Sequence, residues 1–259
     1  MQTIMLYFGV LRRLVQLMIF DIFTKYGQQK LQNLYGFFNP KSDYTEFPID
    51  PHILPKTDAF ELLHNDIAKY EQVDECGFGH TTEFELKVIS NLVKQYNPKK
   101  IFEIGTFKGR TTLNMAINSG EDTQIFTLDL PSEDFNKAKL TIEAGEAAYV
   151  KKEQSGERFL NHPASHKIKQ LFGDSATFDF MPYQNQIDLV FIDASHSYDY
   201  VLNDSLKVLS LMKKGGVILW HDYTNWSGVR DALNHLYETN PAFKQIKHIG
   251  GTSIAIGIF

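Results

Sequence analysis

Glu103-Ile104-Gly105-Thr106-Phe107-Lys108-Gly109 decides the fold. It follows an apolar run at residues 101–104 and precedes a segment that reads as a helix from Thr111. Gly105 lets the chain turn sharply where a side chain would clash. Gly109 allows a backbone to approach a ligand beside the free N–H groups of the helix start. A strand, a glycine loop and a helix in this order make the first unit of a doubly wound α/β sheet.

The rest of the chain repeats the alternation. Further strand candidates lie at residues 124–128, 168–172, 189–192, 216–219, 246–249 and 253–258, with helices expected at 111–117, 200–212 and 229–237. Short apolar strands separated by helices predict a parallel sheet covered on both faces. Only Gly250-Gly251-Thr252 separates the last two strands, so the final strand is expected to be antiparallel. The expectation is a mostly parallel, Rossmann-like sheet of seven strands with an antiparallel last strand and an N-terminal helical extension.

Upstream, Thr82 and Glu85 have capping-box spacing and open a helix through Leu92 and Tyr96. Another helical stretch runs from Asp58 to about Tyr70, and Gly77-Phe78-Gly79 reads as a turn. Residues 36–58 look like a connector, broken by Pro40, Pro48, Pro51 and Pro55. The domain reading is an N-terminal helical extension and connector over 1–75 and an α/β domain over 76–259. Residues 131–166 are long for a strand-to-strand connection, with a helical piece at 135–148. They read as an insertion at the ligand edge of the sheet, either a lid or a surface decoration.

Net charge is −5 and 43% of residues are hydrophobic. A mildly acidic chain lacks the footprint of phosphate-backbone binding, and Lys99-Lys100 alone does not supply one, so no nucleic-acid partner is expected. The one cysteine, Cys76, can form no intrachain disulfide, which fits a cytoplasmic setting. Near the N-terminus Arg12-Arg13 follows the apolar run instead of preceding it, and no small-residue cleavage site comes after, so a signal peptide is not expected. Arg12, Arg13 and Gln16 interrupt the stretch before it reaches the ~20 residues of a membrane span. Met5, Phe8, Leu11, Val15, Met18 and Ile22 share a helix face. That face packs on its own domain, on a second subunit in a homo-oligomer, or weakly on a membrane surface.

Two details separate the glycine loop from a dinucleotide fingerprint. Phe107 stands where that fingerprint needs its second glycine. Glu103, just before the first glycine, suits a cationic amino-acid ligand and would repel a pyrophosphate. The later strand ends also carry acids: Asp129, then Gly173-Asp174-Ser175, then Asp193-Ala194-Ser195-His196. Each taken alone is also an ordinary strand-end, turn or helix-cap residue. Their joint placement on the crevice edge is the signal.

Glu-x-Gly-x-x-x-Gly, with these acids and Leu211-Met212-Lys213-Lys214-Gly215-Gly216-Val217-Ile218-Leu219, resembles class I S-adenosylmethionine-dependent methyltransferases. Within them it is similar to the small-molecule O-methyltransferases related to catechol and caffeoyl-CoA methyltransferases. The wording Ile192-Asp193-x-Ser195-His196-Ser197-Tyr198 and Trp220-His221-Asp222-Tyr223 resembles a bacterial subgroup found with sugar and natural-product tailoring enzymes. The resemblance covers roughly residues 80 to 259. It implies S-adenosyl-L-methionine on Glu103, Gly105, Thr106, Gly109, Thr111, Asp129, Asp174, Ser175 and Asp193. In this pattern Asp129 takes the ribose hydroxyls and the Asp174-Ser175 turn contacts adenine.

Methyl transfer from a sulfonium needs an acceptor held in line and, for a hydroxyl, help in removing its proton. Candidates cluster at two strand ends, Asp193 and His196, then His221 and Asp222. Relatives with a metal site place an acid at the Asp193 position and two oxygen ligands after the next strand. The corresponding ligands here are Asp193, His221 and Asp222, for a divalent cation such as Mg or Mn. Histidine departs from an all-oxygen set, which magnesium prefers, and manganese, iron or zinc accept it more readily. The relatives' lysine base falls at His196. Two mechanisms are open: a cation with His196 as base, or a metal-free histidine base oriented by a carboxylate.

The expected partner is a small-molecule acceptor bearing a sugar, natural-product or phenolic hydroxyl. Trp220, Tyr223, Trp226 and Phe159 fit either an aromatic-lined pocket or core. Alternatives are a nicotinamide-dependent oxidoreductase, opposed by Phe107 and Glu103, and an inactive membrane-surface or scaffold protein, opposed by the intact acids. Base methylation of DNA is disfavoured, because Asp-Ala-Ser-His stands where amino-methylating enzymes carry Asn/Asp-Pro-Pro-Tyr/Phe.

Overall fold

Eight strands form one sheet in the computed structural model of this chain, which describes residues 51–62 and 81–259. They are β1 Lys56–Asp58, β2 Lys100–Ile104, β3 Gln124–Asp129, β4 Ile168–Phe172, β5 Ile187–Ile192, β6 Met212–Trp220, β7 Lys247–Gly250 and β8 Ala255–Ile258. The order across the sheet is β1-β7-β8-β6-β5-β2-β3-β4. All pairings are parallel except those of β8 with β6 and β7.

The expected seven strands are corrected to eight by β1, which lies in the proline-rich stretch read as a connector. Its three residues carry no alternation of apolar and polar side chains. Their place is set by the free edge of β7, where Lys56 is opposite His248 and Thr57 opposite Ile249. The expected antiparallel final strand is present, and Gly251 (φ +82°) makes the turn before it.

Among the described residues six helices accompany the sheet: α1 Ala59–Leu62, α2 Glu83–Tyr96, α3 Arg110–Asn118, α4 Ala147–Val150, α5 Tyr198–Leu209 and α6 Ser227–Thr239. Thr82 and Glu85 form the expected capping box at the start of α2. Val88, Ile89, Leu92 and Val93 of α2 and Leu113, Met115 and Ala116 of α3 share one core with Ile101 of β2. Phe102 and Ile104, pointing the other way from the same strand, share a second core with Val201 and Val208 of α5 and Leu233 and Leu236 of α6. Each fully buried aliphatic side chain contributes roughly 1.5–3 kcal/mol, so this two-sided burial holds β2 and its loop rigidly.

From β2 the chain winds outward through β3 to β4. It then returns to β5 on the other side of β2 and continues to β6. The switch between β2 and β5 opens a crevice at the carboxyl ends of the strands, where ligands of such sheets bind.

The helix expected at 135–148 is broken into short pieces. Ser132–Lys137 and Ala144–Glu146 are 3₁₀ turns, and only α4 is α-helical. Thr141 and Ile142 are β-branched and Gly145 sits inside the span, each lowering helix propensity.

The described residues from 52 to 259 form one compact unit. The expected N-terminal amphipathic helix, the Gly77-Phe78-Gly79 turn, Cys76 and the end of the helix toward Tyr70 lie outside the described residues. Among the described residues no helix is long and apolar enough to cross a membrane.

Candidate active site

The loop after β2 meets the loop after β5 backbone to backbone. Asp193 N–H donates to Ile104 O at 2.9 Å, and Gly105 N–H to Leu128 O at 2.8 Å. Gly105 has φ +102°, and a Cβ there would lie 2.0 Å from the Asp193 carbonyl oxygen. Phe107 also adopts a positive φ, +47°. A bulky residue in that region is strained, and it stands where the dinucleotide fingerprint has glycine. At Gly109 the close neighbour is the Phe159 ring, 2.5 Å from a built Cβ, so this glycine admits a side chain of the 131–166 segment.

A cleft of about 640 Å³, open solvent included, lies over these loops. Gly105, Asp129, Asp174, Ser175 and Asp193 line it from the sheet, and Ile142, Glu146, Tyr149 and Lys152 line it from the 131–166 segment. A second, more polar cavity is lined by Thr106, Gly109, Arg110, Thr111, Asp193 and His196.

Glu103 lines neither cavity. It is fully buried beneath the loop, where Oε2 accepts from the hydroxyls of Thr112 and, at 2.5 Å, Thr127. Burial outweighs those bonds and pushes its carboxyl up to about 8. Thr127 lies 2.6 Å from the Thr106 hydroxyl, so Glu103 reaches the loop only through threonines. Asp129 Oδ2 accepts from Ser155 Oγ and pairs with Lys152 at 2.7 Å, both from the 131–166 segment. Asp174 is engaged on both oxygens: Tyr200 OH and Ala176 N–H donate to Oδ1, and Lys139 N–H donates to Oδ2. Thr111 Oγ1 is 3.1 Å from Thr81 Oγ1, and the carbonyl of Ser175 accepts from Lys207 at 2.9 Å.

The structure brings Asp193, His196, His221 and Asp222 into one cluster. His196 Nε2 lies 2.9 Å from Asp222 Oδ2, and its Nδ1 lies 2.6 Å from Glu146 Oε1. His221 Nδ1 lies 3.1 Å from Asp193 Oδ1 and 3.2 Å from Asp222 Oδ2, with its Nε2 3.3 Å from Glu85 Oε2. Asp222 holds this place with φ +63°, a strained backbone at the centre of the cluster. Burial alone would lower both imidazoles. For His196 the hydrogen bonds to Asp222 and Glu146 outweigh it and push the ring up to about 9. For His221 the charge of Asp193 and bonds to Asp193, Asp222 and Glu85 hold it well above the usual histidine range. Burial would raise Glu85 and Asp222, but bonds from the histidines hold both well below the usual carboxylate range.

Two members escaped the sequence reading. Glu85 was legible as a helix cap, and the cap is real. The same carboxylate also accepts from Ser253 N–H and Oγ–H at 2.6 Å each, besides facing His221. Glu146 carried no motif. Of the aromatics, Trp220 and Tyr223 are core, Phe159 packs on Gly109, and Trp226 stacks on His196 with centroids 4.5 Å apart.

The ligand atoms of Asp193, His196 and Asp222 lie within 4.8 Å of one another. The cation triad expected as Asp193, His221 and Asp222 therefore has a counterpart in which His196 takes the nitrogen position. An oxygen–nitrogen set of this kind fits manganese, iron or zinc better than magnesium.

Residues 102–223 match a family model described as a methyltransferase domain. Over those residues the chain is similar to methyltransferases. The chain is 30% identical over 149 residues to caffeoyl-CoA O-methyltransferase 2 of Petunia hybrida, covering 57% of this chain and 55% of that one. It is 26% identical to caffeoyl-CoA O-methyltransferase of Stellaria longipes over 185 residues, 71% of this chain and 68% of the relative. The chain thus spans little more than half the length of the Petunia relative. Among solved structures, an O-methyltransferase of Streptomyces achromogenes overlays with a TM-score of 0.48 at 17% identity, covering 70% of this chain and 81% of that one.

Proposed function

We propose that this chain binds S-adenosyl-L-methionine in the cleft over β2, β3 and β4 and methylates a hydroxyl of a small molecule, a phenol, sugar or natural product. The observation that carries the reading is the meeting of the β5 and β6 ends in one histidine–carboxylate cluster beside that cleft. When bound, the cofactor supplies an electrophilic methyl on a sulfonium.

Asp129 offers Oδ1 to the ribose hydroxyls, since its protein partners both occupy Oδ2. The turn at Asp174 and Ser175 borders the adenine end, and Gly105 and Asp193 border the methionine end. Glu103 steadies this loop through Thr127 and Thr106. His196 borders the polar cavity and, in its neutral form, populated as pH approaches its raised value of about 9, takes the acceptor's proton on Nε2 in place of the Asp222 contact, while Glu146 on Nδ1 stabilises the imidazolium that results. His221, sealed between carboxylates, fixes Asp193 and Asp222 in place.

A second reading rests on the convergence of Asp193, His196 and Asp222. These three would hold a divalent cation, which would lower the pKa of an acceptor hydroxyl. Methyl-labelled S-adenosylmethionine, offered with caffeoyl-CoA, simple catechols and hydroxylated sugars, tests both. Label is expected on an acceptor oxygen. Activity that survives exhaustive chelation and does not rise with Mg²⁺ or Mn²⁺ removes the cation. Label on no acceptor in the panel counts against the phenol and sugar assignment.

A further inference from the structure

Glu146 belongs to none of the strand ends and to no motif, yet only 2% of it is exposed. It ends the 3₁₀ turn Ala144–Glu146 and spends both carboxylate oxygens on its surroundings. Oε1 accepts from the His196 backbone N–H and faces His196 Nδ1 at 2.6 Å. Oε2 accepts from Ser195 Oγ–H at 3.0 Å and from Glu143 N–H at 2.8 Å. The residue before it lies close to Trp226, since a Cβ at Gly145 would stand 3.6 Å from that ring, and the ring stacks on His196. Glu146 and its neighbour thus fix His196 by an edge and a face. The same side chain is also part of the wall of the 640 Å³ cleft.

The segment that carries Glu146 is tied to the other strand ends lining that cleft. Lys139 N–H bonds Asp174, and Lys152 and Ser155 bond Asp129. A ligand contacting Asp129 or Asp174 therefore touches the anchors of the segment. A cationic ligand would also draw on the Glu146 carboxylate directly, because charges a few ångströms apart interact strongly away from bulk water.

Building on the methyl-donor reading, we infer that Glu146 is a positioning residue that makes the setting of the His196 ring depend on what occupies the cofactor cleft. Loss of the Oε1 contact frees Nδ1 and leaves the ring held by Asp222, the Trp226 stack and the edge-on Tyr149 ring. A cofactor seated on Asp129 and Asp174 would load the segment that carries Glu146, and through it the ring. Acceptor activation is then coupled to the filling of the cleft.

The test uses the full chain, free of metal, labelled with ¹⁵N-histidine, and S-adenosylhomocysteine as the probe. His196 ring signals are assigned by their loss in His196→Gln. In the wild type, saturation with S-adenosylhomocysteine is expected to shift the His196 ring nitrogens. Glu146→Gln is expected to bind the probe by calorimetry and to lose that shift, while Glu146→Asp retains part of it. A shift of undiminished size in Glu146→Gln overturns the inference. So does a wild-type His196 signal indifferent to bound S-adenosylhomocysteine, a result that needs no variant to fold. Absence of binding by the wild type would instead overturn the cofactor reading.

Discussion

His196 and His221 stand at the ends of neighbouring strands and are bonded alike, each ring nitrogen facing a carboxylate. They differ in where those carboxylates come from. His221 is held by Asp193 and Asp222 at the strand ends and by Glu85 on α2, with 6% of its side chain exposed. His196 is held by Asp222 and by Glu146 from the 131–166 segment, borders a cavity, and is twice as exposed at 12%. The same pairing chemistry makes one ring part of the scaffold and leaves the other within reach of a ligand. A histidine buried among fixed groups orders them, whereas one bonded to a separate segment and open to a cavity can exchange partners.

The sharpest way to break the comparison is to remove each histidine's role in turn. His196→Ala is expected to slow methyl transfer by about 10²–10⁴-fold, the usual range for a lost general base. It should also lower the denaturation midpoint, because Glu146 and Asp222 lose their buried partner. An equal loss of rate in His196→Ala and in a folded His221 variant would erase the distinction. Glu85→Ala acts on the sealed half. It strips His221 of one carboxylate and leaves the Ser253 N–H unpaired, so urea denaturation is expected to show a loss of about 3–5 kcal/mol. A loss below about 1 kcal/mol would show that Glu85 is no more than a helix cap.

A smaller effect separates the pair by pH. Both folded rings titrate above the unfolded value, His196 at about 9. The folded state therefore holds more protons than the unfolded one from about pH 6.5 upward. Their stabilisation is complete below about pH 6.5 and declines as pH rises, with the His196 share gone once pH passes about 9. The slope reaches at most about 1.4 kcal/mol per pH unit for each group. His196→Gln should flatten part of this slope, with the remainder belonging to His221. Stability that rises between pH 6.5 and 9 in the wild type would contradict the pairing.

The sheet was legible because it is written in short apolar runs and glycine turns. Residues 101–104, 124–128 and 168–172 lie in β2, β3 and β4, and the glycines at 250 and 251 turn the chain into β8. β1 was illegible, since Lys56-Thr57-Asp58 takes its conformation from the edge of β7. The four-membered cluster followed from parallel strands bringing adjacent ends together. Its outer members did not. Glu85 reaches His221 across 136 positions of sequence, and Glu146 reaches His196 across 50, by tertiary packing that no local spacing encodes. Glu103 shows the opposite failure. Its place before Gly105 suggested a ligand contact, but the pleat of β2 turns it under the loop toward Thr112 and Thr127.

The central claim is that the cleft over Asp129 holds the methyl donor. Calorimetric titration of S-adenosylhomocysteine into the wild type and Asp129→Ala tests it most directly. Binding to one site per chain is expected in the wild type. In Asp129→Ala it is expected to weaken by roughly tenfold to a hundredfold, the loss of a charge-assisted hydrogen-bond partner. No binding by the wild type, or equal affinity in the variant, would contradict it.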